Sequence, residues 1–276
     1  MNNEIVKHRD YFGLTKGLSG TQLKIIALIM MVFDHLYYMF HINGIPYWFH
    51  WIGRPVAPIF LFICAEGFTH TRSKKNYILR LLVCFELMNV VNEVLTVTMP
   101  HNSIELLMNI FGSLFFAALY MLFVDILWNG IKTKKIWKIL IAVLFMLLPI
   151  IYSLGTLSIN LTEETITNHW LGLVLYKFIP NIMRVEGTFF GPLLGLLFYI
   201  LRWKRILQII PIVLFTIIFI LTMDIHWLMI FTIIPILLYN GSRGMGGKYF
   251  FYIFYPAHIY VFYFIAYFIQ RNMKLY

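Results

Sequence analysis

The residues best placed to do chemistry are Asp34 and His35, a titratable pair that directly follows the unbroken apolar run Ile25–Phe33. An acidic or basic group inside a membrane span costs roughly 2.5–3.5 kcal/mol on insertion scales, so it needs a partner or a task. An imidazole titrates near neutral pH and can take and return a proton. Lys24 stands eleven residues before His35. That spacing is close to three helical turns, so the two share a face, about 16 Å apart along the axis. One face therefore carries a cation at its edge and an imidazole at depth. A ligand with a phosphate head and a long thin arm spans such a gap, and coenzyme A has that shape. Neighbours on a helix point about 100° apart, so Asp34 acts on His35 only indirectly or pairs with another span, Arg54 being one choice.

Other polar residues stand in apolar surroundings. Arg54 opens the second apolar segment, and Glu66 with His70 ends it. Glu86, Asn89 and Glu93 follow at spacings of three and four, which places them on one helical face. His258 lies in Phe254-Tyr255-Pro256-Ala257-His258. The basic stretch Arg72-Ser73-Lys74-Lys75, with Arg80 beyond it, suits coenzyme phosphates. Each has a plainer alternative. The cations at 72–80 serve as topology determinants, Lys24 as a snorkelling anchor, and Glu66 with His70 as a helix-end pair. The Glu86 face serves as interhelical glue and His258 as a packing histidine. No P-loop, no GxSxG elbow and no metal-spaced Cys/His set is present. The glycine-rich run Gly241–Gly247 follows no strand and reads as a flexible connection rather than a nucleotide fingerprint.

These residues must be held by membrane helices. Of 276 residues, 61% are hydrophobic and 12% charged, about half the roughly 25% of charged residues usual in soluble domains. The expected fold is all-α: a polytopic transmembrane bundle of about nine spans, with a range of eight to ten. The segments are 22–42, 48–69, 77–98, 106–128, 136–154, 186–201, 206–223, 226–239 and 249–269. Residues 168–181 are apolar but short, and suit an interfacial helix, a re-entrant piece or half of a further span. A single domain is expected over 1–276. Cys64 and Cys84 fall inside spans, which implies no disulfide framework, and no cleavable signal peptide is expected.

The net charge of +10 resides in short loops between apolar runs. It therefore points to topology and an anionic ligand rather than to nucleic acid. A cytoplasmic N-terminus puts most basic residues on the inner side and leaves only Arg54, Lys177, Arg184, Arg271 and Lys274 on the outside.

The stretch Leu23-Lys24-Ile25-Ile26-Ala27 through Asp34-His35 resembles the start of the TraX family of membrane proteins. So do Ile52-Gly53-Arg54-Pro55-Val56-Ala57-Pro58-Ile59-Phe60, the continuation Glu66 to Arg72 with Tyr77 and Arg80, and the C-terminal run Lys248 to His258. The resemblance is specific at both ends and only hydropathic through roughly 100–235. It implies an F-pilin acetylase-like protein within the superfamily of transmembrane acyltransferases. It also implies His35 as the catalytic residue and Lys24 as a coenzyme contact.

The function expected is a multi-pass membrane acetyltransferase of the bacterial inner membrane. Acetyl-CoA would be the donor, and the acceptor an amine or hydroxyl on a peptide or glycan reached from outside. His35, with Asp34, would be catalytic, as general base or transient acetyl carrier. Lys24, Arg72, Lys74, Lys75 and Arg80 would bind the coenzyme, and no metal is called for. The rival reading is a transporter or proton-coupled exporter whose polar residues form a relay.

Overall fold

The computed structural model describes residues 17–101, 104, 106, 109–158 and 179–272. Segment 168–181 lies mostly outside the described residues. Among those described, helices α1 (Gly20–Phe40), α2 (Trp48–Gly53), α3 (Val56–His70), α4 (Lys74–Thr98) and α5 (Ile110–Lys132) come first. They are followed by α6 (Ile136–Ser158), α7 (Phe190–Ile200), α8 (Ile209–Leu221), α9 (Ile233–Leu238) and α10 (Lys248–Asn272). The described residues contain no strand beyond one isolated bridge, Leu18 with Tyr239, so the fold is all-α.

Local chemistry explains where the helices start and break. Ser19 and Gln22 form a reciprocal capping box at α1, and the Ser73 hydroxyl caps α4. The predicted span 48–69 is divided between α2 and α3, because Pro55 has no N–H to continue the ladder. Its carbonyl accepts from the buried Thr232 hydroxyl at 3.3 Å.

Among the described residues, five segments are long and apolar enough to cross a membrane: Gly20–Asn43, Trp48–His70, Ile110–Lys132, Ile136–Thr156 and Tyr249–Ile269. On α6, Leu140, Leu144, Leu147, Leu148 and Ile151 are all exposed. An apolar surface of that extent belongs in lipid, and the chain is a membrane protein. α4 is 25 residues long but carries Arg80, Glu86 and Glu93. The predicted spans 186–201, 206–223 and 226–239 form the shorter apolar helices Phe190–Ile200, Arg205–Leu221 and Ile225–Leu238. These fall short of the roughly 20 residues a perpendicular crossing takes.

The chain divides into two compact units, Met1–Ile63 with Leu201–Tyr276, and Cys64–Ile200. In the first, α1 and α10 run parallel: Lys24 lies over the Phe251 ring, His35 meets His258, and Phe40 meets Phe262. The second unit packs α4, α5, α6 and α7 around buried Phe115, Phe116 and Met121. Gly112 is required there, because a Cβ would meet Val185 at 2.5 Å and Phe85 at 2.7 Å.

Candidate functional site

His35 lies on the face of α1 turned to α10 and is only 4% exposed. Its Nδ1 is 2.6 Å from Nε2 of His258, and the two rings stack with centroids 4.9 Å apart. His258 Nδ1 in turn lies 2.8 Å from the Phe254 carbonyl oxygen. A carbonyl only accepts, so His258 Nδ1 must carry a hydrogen, and in the neutral ring Nε2 is then an acceptor. His35 Nδ1–H therefore donates to it, which leaves the lone pair of His35 on Nε2. The backbone of α10 thus fixes the tautomer of two imidazoles in series. Aromatic rings enclose the pair: Phe254 stacks on His258 at 5.1 Å, Phe262 meets it edge-on at 5.8 Å, and Tyr255 lies 6.3 Å from His35.

Asp34 takes part in a different network, although it adjoins His35 in the chain. Arg54 Nη2 donates to both Asp34 oxygens, at 2.8 and 2.9 Å, and His50 Nδ1 donates to Oδ1 at 2.9 Å. Arg54 Nη1 donates to His226 Nε2 at 2.9 Å. The Nδ1 and backbone N–H of His226 both meet Asp224 Oδ1, at 2.5 and 2.9 Å. The ladder Asp34–Arg54–His226–Asp224 thus leads from a buried carboxylate to an exposed one. Gly53 makes room for it, because any Cβ there would overlap the Asp34 side chain. Burial raises the Asp224 carboxyl, but hydrogen bonds from the His226 backbone and ring outweigh this and hold it below the usual carboxylate range.

The first unit pairs Asp34 with Arg54, one of the partners the sequence allowed, and His35 with His258, two candidate residues that the sequence did not join. It does not bring Asp34 onto the His35 ring: the carboxylate is bound to Arg54 and His50 instead. His50, His226 and Asp224 were not singled out in the sequence. The available signal was that the loops before residues 48 and 226 fall on the same side of the nine-span topology.

The second unit holds the remaining predicted residues in local roles. The Lys74 ammonium pairs with Asp125, whose other oxygen accepts from Tyr199 Oη at 2.6 Å. That pairing engages the Lys74 ammonium within its own unit. Arg72 and Lys75 are exposed, and Arg80 lies over the Tyr77 ring at 5.9 Å. His70 Nδ1 donates to the Glu66 backbone carbonyl at 2.8 Å, a contact within its own helix. Asn89 Oδ1 accepts from Asn109 at 3.1 Å, and the Glu86 carboxyl lies beside Asn89 on the same helix. Among the described residues no cluster of His, Cys, Asp and Glu has the makings of a metal site.

A family model described as TraX protein matches residues 19–158, half of the chain. The chain belongs to the TraX family. It is also 26% identical over 256 residues to the probable fimbrial assembly protein FimC, serogroup H1, of Dichelobacter nodosus, covering 87% of this chain and 93% of that protein. No solved structure matches it. The family match covers Lys24, Asp34, His35 and Arg54 but ends before His226 and His258, which this TraX-family chain joins to them by folding.

Proposed function

We propose that the protein is an integral membrane acetyltransferase of the inner membrane that moves an acetyl group from acetyl-CoA to an amine or hydroxyl acceptor. The observation that supports it is the His35–His258 pair, whose carbonyl-fixed tautomers leave a lone pair on His35 Nε2. His35 Nε2 takes the proton of the acceptor as its nitrogen or oxygen attacks the thioester carbonyl. The C–S bond then breaks, and the leaving thiolate takes that proton back from His35 to give the free thiol. While His35 is an imidazolium, its Nδ1–H still donates to His258 Nε2. His258 thereby stabilises and orients the charged ring, and the enclosing rings exclude water that would hydrolyse the thioester.

Lys24, on the same face of α1, is the coenzyme contact nearest in kind to the one the resemblance implies. Arg54 and Asp34 fix the far end of α1 and act on catalysis through its placement. The name of the Dichelobacter relative concerns fimbrial assembly, so an exported filament subunit is the first acceptor to try. The test is transfer of labelled acetyl from acetyl-CoA by the purified full chain in liposomes, with and without such a subunit. His35→Ala should abolish both transfer and acceptor-independent hydrolysis. Activity that survives this substitution removes the mechanism. Solute uptake without thioester turnover would favour a transporter instead.

A further inference from the structure

The glycine-rich loop 241–247 is not a loose connection, as its composition suggested, but is fastened to the start of α1. Leu18 N donates to Leu238 O at 2.7 Å, and Asn240 N donates back to Leu18 O at 2.9 Å. Gly20 N donates to Ser242 O at 2.8 Å and Thr21 N to Arg243 O at 3.1 Å. The Thr21 hydroxyl reaches the carbonyls of Arg243 and Met245 at 3.0 and 2.5 Å. Gly244 has φ +74°, and a Cβ there would meet Ser19 Oγ at 2.6 Å. Only glycine gives both the backbone turn and the close approach.

This docking sets the exposed Arg243 against Thr21, about one helical turn before the half-buried Lys24. Lys24 Nζ also lies 5.3 Å from the Phe251 ring centre. Among the described residues of this unit the only acids are Asp34 and Asp224, and both are held by Arg54, His50 and His226. Two cations this near in the fold, with no free acid among the described residues of this unit, fit a multiply charged anion. The site also has the right reach. Lys24 and His35 both face α10, against Phe251 and His258 respectively, and lie about 16 Å apart along the helix.

We infer that Arg243 and Lys24, set in place by the docked loop, hold the phosphates of a nucleotide-diphosphate thioester whose arm runs along α1 to His35. This rests on the acetyl-CoA-dependent reading above and deepens it. It moves the phosphate contacts from the 72–80 stretch to a loop some 220 residues from Lys24 in sequence. The loop follows no strand, so recognition comes from its arginine and from its attachment to α1, not from a dinucleotide-binding turn.

The test measures binding of three probes to the full chain in detergent: coenzyme A, pantetheine (the same arm without phosphates) and inorganic pyrophosphate. Arg243→Gln and Lys24→Gln should each weaken coenzyme A about tenfold or more and leave pantetheine unchanged. Arg243→Lys should fall between them. Lys204→Gln, which removes an exposed cation of the same unit, should change nothing. Melting of each variant shows that it is folded. Equal coenzyme A affinity for the parent chain and Arg243→Gln overturns the inference while leaving the acetyltransferase reading standing. Pyrophosphate binding that depends on Arg243, with coenzyme A no tighter than pyrophosphate, supports the phosphate site and sinks the coenzyme reading. No binding of either anion overturns both.

Discussion

The two units treat buried polar groups differently. In Cys64–Ile200 they are used locally: His70 bonds a carbonyl one turn away, Asn109 bonds the Phe85 carbonyl, and Lys74, Asp125 and Tyr199 close on one another. Such contacts fasten helices and end there. In the other unit the polar groups form open series. One runs from the Phe254 carbonyl through His258 to the free lone pair of His35, and another from Asp34 through Arg54 and His226 to exposed Asp224. A closed cluster stabilises, whereas an open series leaves a group able to act on something outside it. Asp34 and His35 show that chain neighbours can belong to separate series, because a helix turns about 100° per residue.

The largest test of this contrast is His35→Ala, which should lower acetyl transfer by roughly 10³-fold, the scale of a lost general base, while the melting temperature in detergent stays near that of the parent chain. Next is His258→Ala. It should lower kcat by roughly 10–100-fold, less than loss of the base itself, with little change in KM for acetyl-CoA. Its pH–rate profile should also move, a readout that loose packing alone would leave in place. His258→Asn should recover part of the rate if the ring acts as an acceptor for His35 Nδ1–H.

Arg54→Ala should act mainly on stability. It strands the buried Asp34 carboxylate, and losing one partner of a buried pair costs about 3–5 kcal/mol. Thermal unfolding in detergent measures it, and Arg54→Lys should restore only part because it lacks the planar fork. If unit two is merely fastened by its polar groups, Lys74→Met should cost about 1 kcal/mol or less and leave the KM for acetyl-CoA unchanged. A raised KM would return Lys74 to the coenzyme site.

The smallest effect belongs to the exposed pair His226–Asp224. Because the Asp224 carboxyl lies below its usual value, its contribution is complete above the ordinary carboxylate pKa of 3.8. It is lost as pH falls further, through the lowered folded value. Asp224→Asn should therefore lose that slight contribution at neutral pH, differ least from the parent chain at low pH, and flatten the acid-side fall in stability, as thermal unfolding in detergent against pH measures.

Much of the fold was legible because lipid imposes a simple rule: apolar runs become helices. Seven of the nine predicted segments overlap helices within four residues of their predicted ends, while 48–69 is divided at Pro55 and 226–239 opens with a 3-10 stretch, Ile225–Thr232, before α9. The candidate residues were legible for the same reason, since His35, Asp34, Arg54 and His258 are costly where they stand. What failed was the role of the loop 241–247. Glycine content indicates backbone freedom, but whether that freedom is used for motion or for close docking depends on hydrogen bonds to residues 18–21.

By itself, then, the sequence determined a membrane helix bundle and the residues that needed a reason to be in it, because hydropathy and the cost of buried charge are local properties. Only the tertiary structure decided the pairings. Residues 1–63 fold with 201–276, so His258 reaches His35, His226 reaches Arg54, and Arg243 reaches Lys24. Hydrophobic burial is non-directional and leaves such partners open. The directional bonds that choose between them form only once distant helices pack.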